Sequence, residues 1–306
     1  MTCCSPSRGD GRAGQSRDSA TAAASFAAAG AATAAAAGTP SQTMWIELPG
    51  GIFMMGEGGP LAYPADGETP REALVPPFSI AATTVSNDQF ATFVAATGHV
   101  TDAERFGWSF VFGGLLPEDF PDTRGVAAAP WWRQVYGAAW RQPEGPHSDL
   151  ADRGDHPVVH VSYNDAVACA AWVSARLPTE AEWEFAARAG STTTFPWGDA
   201  LEPGGQHLMN VFQGDFPAHD NAADGWQGTC PVDAFPPNRF GLYNVTGNVW
   251  EWTADQFGRG HGDDTMVLKG GSYLCHASYC HRYRPAARMA NTADSSAGNI
   301  GFRLAR

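Results

Sequence analysis

The sequence predicts an α+β fold: one irregular, loop-rich domain with a few short helices and strands. Three observations carry this. Gly (35), Pro (22) and Trp (11) are frequent among 306 residues while charged residues make up 17%, a mix in which aromatics anchor long irregular segments. The helical signals are isolated, each a capping box followed by a short apolar face. Strand-like runs occur near the start, set apart by Gly-Gly and Pro turns. A chain of this length buries a full core. Its formal charge of −13 excludes nucleic acid or an anionic membrane surface as the main partner. No stretch approaches the ~20 apolar residues of a membrane span.

Residues 1–43 are low complexity, with an Ala/Thr run over 20–37, and lack the bulky apolar side chains that offset ordering entropy; disorder is expected there. Thr and Gly interrupt the run and Leu, Ile and Val are missing from it, so it does not read as a signal peptide, and a cytoplasmic protein is expected. The ordered domain, 44–306, opens with a strand from Trp45, a Gly50-Gly51 turn and a second strand to Gly56. Phe78–Val85 reads as another strand. Ser86 and Gln89 make a capping box for a helix with Phe90, Phe93 and Val94 on one face and Gly98 as its stop. The stretch from Thr101 to Pro157 shows little periodicity and reads as packed loops, with Trp131 and Trp132 as core anchors. Val158–Val161 reads as a short buried strand. Ser162 with Asp165 starts a helix expected to turn Val167, Ala168 and Trp172 inward, and Thr179 with Glu182 caps another that runs toward Gly190.

Beyond Phe195 regular elements nearly vanish while Asn, Asp and Gly increase. Such backbone must satisfy its buried amides and carbonyls. Asn210-Val211 with Asp224–Trp226, and the run Asn244–Trp252, offer side-chain and carbonyl oxygens of the kind calcium takes; on these residues alone simple turns and Asx caps are the favoured account.

The chemistry concentrates between Lys269 and Arg306, where Cys275 and Cys280 stand five residues apart among aromatics, histidines and arginines. In a helix a step of five turns the side chain far around the axis, and in a strand an odd step sends it to the opposite face. Convergence therefore requires a bend. The thiols could form a disulfide, bind a soft metal, or act as nucleophile and partner. The other cysteines are too irregularly spaced for a disulfide scaffold, and Cys169 and Cys230 read as structural.

Gly51-Ile-Phe-Met-Met-Gly, Arg176-Leu-Pro-Thr-Glu-Ala-Glu-Trp-Glu, Phe195-Pro-Trp-Gly, Asn244-Val-Thr-Gly-Asn-Val-Trp-Glu-Trp and Gly301-Phe-Arg follow one another in the order found in the sulfatase-modifying-factor family, which the chain resembles from 44 to 306. The segment Gly270-Gly-Ser-Tyr-Leu-Cys-His-Ala-Ser-Tyr-Cys-His-Arg-Tyr-Arg is similar to the active-site segment of that family's formylglycine-generating members. The resemblance implies a fold related to C-type lectins. It implies an oxidase that converts the cysteine of a sulfatase Cys-x-Pro-x-Arg segment to Cα-formylglycine with molecular oxygen and a thiol reductant. On the same ground Cys275 and Cys280 are expected to bind Cu(I), Trp250 and Ser272 to line an oxygen pocket, and Tyr279 to donate a hydrogen bond or proton. His276 and Arg288 are further candidates, with a structural hydrogen bond or ion pair as the plainer account of each. Two structural Ca²⁺ sites are implied, one from Asn210, Val211, Asp224 and Trp226, the other from Asn244, Gly247, Val249 and Glu251. Pro285 and Leu304 stand where secreted relatives carry disulfide cysteines, which fits a reducing compartment.

Cys4-Ser5-Pro6-Ser7-Arg8 repeats the Cys-x-Pro-x-Arg pattern within the tail. Composition alone produces such strings in Arg/Ser/Pro-rich segments; the alternative is a tail that modifies itself or occupies the groove. Two other classes of function compete with the oxidase: a calcium-dependent lectin-like binding module, and a metal-free thiol oxidoreductase. The Cys275/Cys280 pair separates the first from the oxidase, since a binding module has no need of two convergent thiols.

Overall fold

A computed structural model describes residues 6–8, 43–258 and 265–306. Most of the 1–43 tail therefore lies outside the described residues, Cys4 included.

The chain is α+β with short elements joined by long packed loops. Strand β1 (Trp45–Leu48) pairs antiparallel with β4 (Phe78–Ala81), and β2 (Gly51–Met55) with β3 (Arg71–Val75). The Gly50-Gly51 turn thus sends two consecutive strands to different partners. At Gly50, φ is 67° and an added Cβ would stand 2.2 Å from the Val75 carbonyl, so only glycine fits that crossing. Helix α1 (Asn87–Thr97) carries the expected Ser86/Gln89 capping box, buries Phe90, Phe93 and Val94, and stops at left-handed Gly98.

The stretch read as loops holds more order than its pattern suggested. Thr101 and Glu104 form a capping box for α2 (Asp102–Phe106). Strands β5 (Trp108–Phe112), β6 (Gly125–Val126) and β7 (Ala129–Tyr136) make a sheet in the order β5-β7-β6. Ser109–Phe112 is buried on both faces, which removes the period-two alternation that marks a half-exposed strand. Val158–Val161, conversely, is not a strand. His160 takes φ 59°, breaking the extended run, although Val158 and His160 still bond to Val85 and Ala297.

Helix α3 (Tyr163–Trp172) begins at the expected Ser162/Asp165 box but faces inward on Ala166, Cys169 and Ala170. Val167 and Trp172 are 40% and 42% exposed, so the inward face was misassigned. Three small residues at i, i+3, i+4 let the helix approach closely; Trp172 instead rests its ring 5.8 Å from Phe93. Helix α4 (Glu180–Arg188) has the expected Thr179/Glu182 box. Its acidic residues are buried and bonded: Glu184 to Lys269 (3.0 Å) and Arg188 (2.9 Å), and Glu180 to Arg288 (2.8 Å).

Beyond Phe195, the two-residue strands β8 (Gly214–Asp215) and β9 (His219–Asp220) precede a four-stranded sheet. Its members are β10 (Trp250–Gln256), β11 (Thr265–Lys269), β12 (Arg288–Thr292) and β13 (Ile300–Phe302), in the order β12-β11-β10-β13 with only β10 and β13 parallel. The sequence reading missed this sheet. Its strands are wholly buried over Trp250–Thr253 and Thr265–Lys269, so they carry no alternation either. Trp250, Trp252 and Phe302 from this sheet join Trp132 and Trp140 in one hydrophobic core that also contains Cys275 and Cys280. No helix among the described residues is long and apolar enough to cross a membrane.

Candidate active site

The chain bends around the two thiols, as convergence would demand. Ser272 opens a turn: its carbonyl accepts from the Cys275 amide at 2.9 Å, and its own amide lies 3.4 Å from Cys275 Sγ. His276 then folds the chain back, its carbonyl accepting from the Tyr279 and Cys280 amides at 2.9 and 2.8 Å. Cys275 and Cys280 end at 0% and 1% exposure. Both border Tyr283, whose hydroxyl pKa is raised by burial first and then by the proximity of Cys275 and Cys280.

Around this pair the structure gathers most of the expected residues. Trp250 is fully buried, and its indole N–H has no hydrogen-bond partner among the described residues. Ser272 Oγ accepts from Leu274 N (3.3 Å) and Asn299 Nδ2 (3.0 Å), and the Asn299 carbonyl accepts from Trp250 N at 2.8 Å. Asn299 therefore ties Ser272 to Trp250. Sequence reasoning missed it, the only signal being a buried amide just before the apolar β13. Tyr279 is half-buried, edge-on to Trp131 at 4.9 Å and stacked on Phe216 at 5.0 Å. Of the two expected core anchors, Trp132 is in the core and Trp131 faces this site instead. His276 is half-buried, with Nδ1 2.7 Å from Ser278 Oγ, and stacks on Phe216. Arg288 is held by Glu180 and donates to the Asp66 carbonyl at 3.0 Å, the ion-pair alternative weighed for it.

The far side of the thiol loop is clamped by residues that the sequence did not mark. Arg282 pairs with Asp66 at 2.6 Å and lies over the Tyr63 ring at 3.9 Å. Arg284, fully buried, pairs with Glu57 and with Glu68, the latter at 2.9 Å. Tyr63 Oη accepts from the His281 amide at 3.2 Å. These arginines close the loop by fixing the residues directly after Cys280.

The tail reaches the same region. Pro6 and Arg8 are buried against β12 and the loop that follows it: Arg8 Nε donates to the Asp294 carbonyl at 2.7 Å, and Asn291 Nδ2 to the Pro6 carbonyl at 3.2 Å.

The residues expected to hold calcium fall into two adjoining loops. Asp224 accepts from the Val211 and Trp226 amides at 3.0 and 3.1 Å, and burial raises its pKa despite those bonds. Asn248 N donates to the Asn210 carbonyl at 2.8 Å, and a Cβ at Gly247 would lie 2.3 Å from that same oxygen, so the loops touch. In the second loop Asn244 Oδ1 is buried with no hydrogen-bond partner among the described residues. Glu251 is engaged, accepting from Trp183 Nε1 at 2.7 Å and from Arg303 at 2.8 Å on both its oxygens. Among the described residues no three His, Cys, Asp or Glu cluster as a metal site.

Comparison with known proteins bears on the same segments. Residues 30–306 match the family described as sulfatase-modifying factor enzyme 1-like domain. The chain is 54% identical over 279 residues to the formylglycine-generating enzyme of Thermomonospora curvata, covering 85% of this chain and 92% of the relative. It is 51% identical to the Bos taurus formylglycine-generating enzyme, over 88% of this chain and 76% of the relative. It is also 47% identical to a Bos taurus protein named inactive C-alpha-formylglycine-generating enzyme 2, over 85% and 87%. Among solved structures, PvdO from Pseudomonas aeruginosa superposes with a TM-score of 0.60 at 25% identity, over 88% of this chain and 99% of that one. With its fold, its motifs and nearly its whole length in agreement, the chain belongs to the sulfatase-modifying factor enzyme 1-like family.

Proposed function

We propose that this protein is a formylglycine-generating enzyme: it oxidises the cysteine of a Cys-x-Pro-x-Arg segment in a client sulfatase to Cα-formylglycine. The relatives named for that activity support it at about half identity over most of the chain. A relative named inactive is nearly as similar, so overall likeness does not decide the matter. The observation that carries it is the pair of buried thiols, Cys275 and Cys280, both close enough to Tyr283 to raise its hydroxyl pKa, within the core that also holds Trp250.

In this reading molecular oxygen is the oxidant. The C–S bond of the client cysteine breaks, a C=O bond forms and the sulfur leaves as H₂S. The carbon supplies two electrons and a pair of reductant thiols the other two, so that one oxygen atom enters the aldehyde and the other leaves as water. Cys275 and Cys280 suit Cu(I), since two soft thiolates in a dry site select a soft ion; bound there, it supplies one-electron redox chemistry. Trp250 and Ser272, tied by Asn299, keep the pocket dry and rigid, and the indole N–H donates to a small acceptor such as dioxygen. Tyr279 stands at the rim to donate a hydrogen bond or proton.

Two calcium ions belong to the same proposal as structural elements. The buried, unbonded Asn244 Oδ1 and the Asp224 carboxylate, its pKa raised by burial, support it. A reducing compartment such as the cytoplasm is also part of it, in keeping with Cys169 and Cys230 as buried free thiols pushed up to about 12.

The test is an aerobic assay on a Leu-Cys-x-Pro-x-Arg peptide with Cu(I) and a thiol reductant. Product lighter by about 18 Da and trapped by an aminooxy probe is expected from the parent, and none from Cys275→Ser or Cys280→Ser. Both variants should also lose stoichiometric Cu(I) binding. Turnover by either variant overturns the assignment, product without copper removes the metal, and no product from the copper-loaded parent leaves a binding module.

A further inference from the structure

The tail pattern Cys4–Arg8 is a sequence feature that the proposed reaction does not use, yet its described part is bound to the domain. We infer that Phe106, Trp108, Asn291, Ser295 and Ser296 form a binding site for a Pro-x-Arg segment, filled in cis by the chain's own Pro6-Ser7-Arg8, so that a client peptide enters only by displacing the tail. The inference rests on reading the client as a Cys-x-Pro-x-Arg peptide.

Arg8 is 4% exposed, rare for an arginine outside a built site. Its guanidinium lies 3.7 Å from the Phe106 ring centroid and 4.6 Å from that of Trp108. Its edge is read by polar groups: Nε donates to the Asp294 carbonyl at 2.7 Å and Nη2 to Ser296 Oγ at 3.4 Å. The Arg8 amide donates to Ser295 Oγ at 2.9 Å, while Asn291 holds the Pro6 carbonyl. Two aromatic faces with an in-plane carbonyl and hydroxyl select a flat cation over the compact ammonium of lysine. The backbone contacts fix the register of whatever segment carries that cation.

This site is continuous with the thiols. Ser296 Oγ lies 2.8 Å from Ser109 Oγ, and Asn299, three residues on, donates to Ser272 beside Cys275. In an extended chain a cysteine four residues before the arginine stands at most roughly 14 Å from it, which is the reach a client segment has between this cradle and the thiols. Ordering three tail residues costs about 1–2 kcal/mol each, which these specific contacts must offset. A tethered segment acts at an effective concentration of about millimolar, enough to weaken a client of micromolar affinity severalfold or more.

Binding without turnover tests this. A fluorescein-labelled Leu-Ser-x-Pro-x-Arg peptide, with serine replacing the reactive cysteine, is titrated with the full chain and with Arg8→Ala, read by anisotropy. The expected result is a Kd about tenfold lower for Arg8→Ala, matched by deletion of residues 2–8, both variants melting as cooperatively as the parent. The same peptide with its own arginine replaced by alanine should lose the gain. Equal Kd values for parent and variants overturn the inference, as does a gain that survives loss of the peptide's arginine. If the peptide binds in this way but its cysteine form yields no formylglycine, the proposed reaction fails and the pocket stands. If formylglycine forms with Kd unchanged by Arg8→Ala, the reaction stands and the tail has no such role.

Discussion

His160 shows how much a single residue is made to tolerate. It holds φ 59° and is fully buried, with Nδ1 2.8 Å from Ser109 Oγ, on the hydroxyl relay that reaches Ser296. Burial pushes its pKa from 6.5 down to about 4, so the native ring stays neutral where the unfolded chain takes up a proton. The stability this contributes is complete above pH 6.5 and is lost as pH falls toward about 4. At 1.36 kcal/mol per pH unit, the full loss is on the order of 3 kcal/mol. Urea unfolding at pH 7 and pH 4.5 should show the parent losing about 2 kcal/mol more than His160→Asn, a residue that tolerates the same backbone. Equal losses would assign the titration to other groups. At this scale the thiol pair was legible, because no other pair of side chains combines that chemistry with that spacing. Asn299, Tyr63 and Tyr283 were not, since nothing in a lone amide or phenol reveals which buried group it will meet. The tail motif was legible as a string, but the Phe106/Trp108 cradle that gives it a place comes from the end of α2 and the start of β5, far from Asn291 in sequence.

Elements were legible where their ends carry side-chain chemistry. All four capping boxes stand as hydrogen-bonded pairs, and the three recognised beforehand are three of them. The strands around the site were not, because burial on both faces erases alternation. What holds those strands to the helices is ionic. Glu251 on β10 accepts from Arg303, just beyond β13, and from Trp183 of α4, all three buried. Removing the cation strands a buried carboxylate, which costs about 3–5 kcal/mol. Arg303→Ala should therefore unfold at markedly lower denaturant than the parent, and Arg303→Lys, which keeps the charge but not the two-pronged geometry, should fall between them. A change below about 0.5 kcal/mol for Arg303→Ala would mean that this pair does not hold the sheet together.

Across the whole molecule, hydrogen bonds between loops stand in for regular structure beyond Phe195. The backbone links run between the loops and the thiol segment: the Asn248 amide donates to the Asn210 carbonyl, Tyr273 to the Asn248 carbonyl, Gly247 to the Gly270 carbonyl and Phe212 to the Cys275 carbonyl. The proposed calcium loops therefore abut the segment that leads into the thiol turn. An ion that binds only the native state stabilises it by about 2.7 kcal/mol at a hundredfold excess over its Kd. Calcium chelation of the full chain should lower Tm by about 5–10 °C for each site emptied. Calcium should restore it and magnesium should not, because irregular loops of carbonyl oxygens do not meet magnesium's octahedral demand. An unchanged Tm, with no calcium found by elemental analysis, would show that turns and Asx caps alone hold these loops. The order of events then tells the two metals apart. If calcium serves the scaffold and the thiols serve copper, chelated protein keeps its Cu(I) stoichiometry at low temperature and loses it only as the loops melt, whereas Cys275→Ser loses copper with Tm dependence on calcium intact.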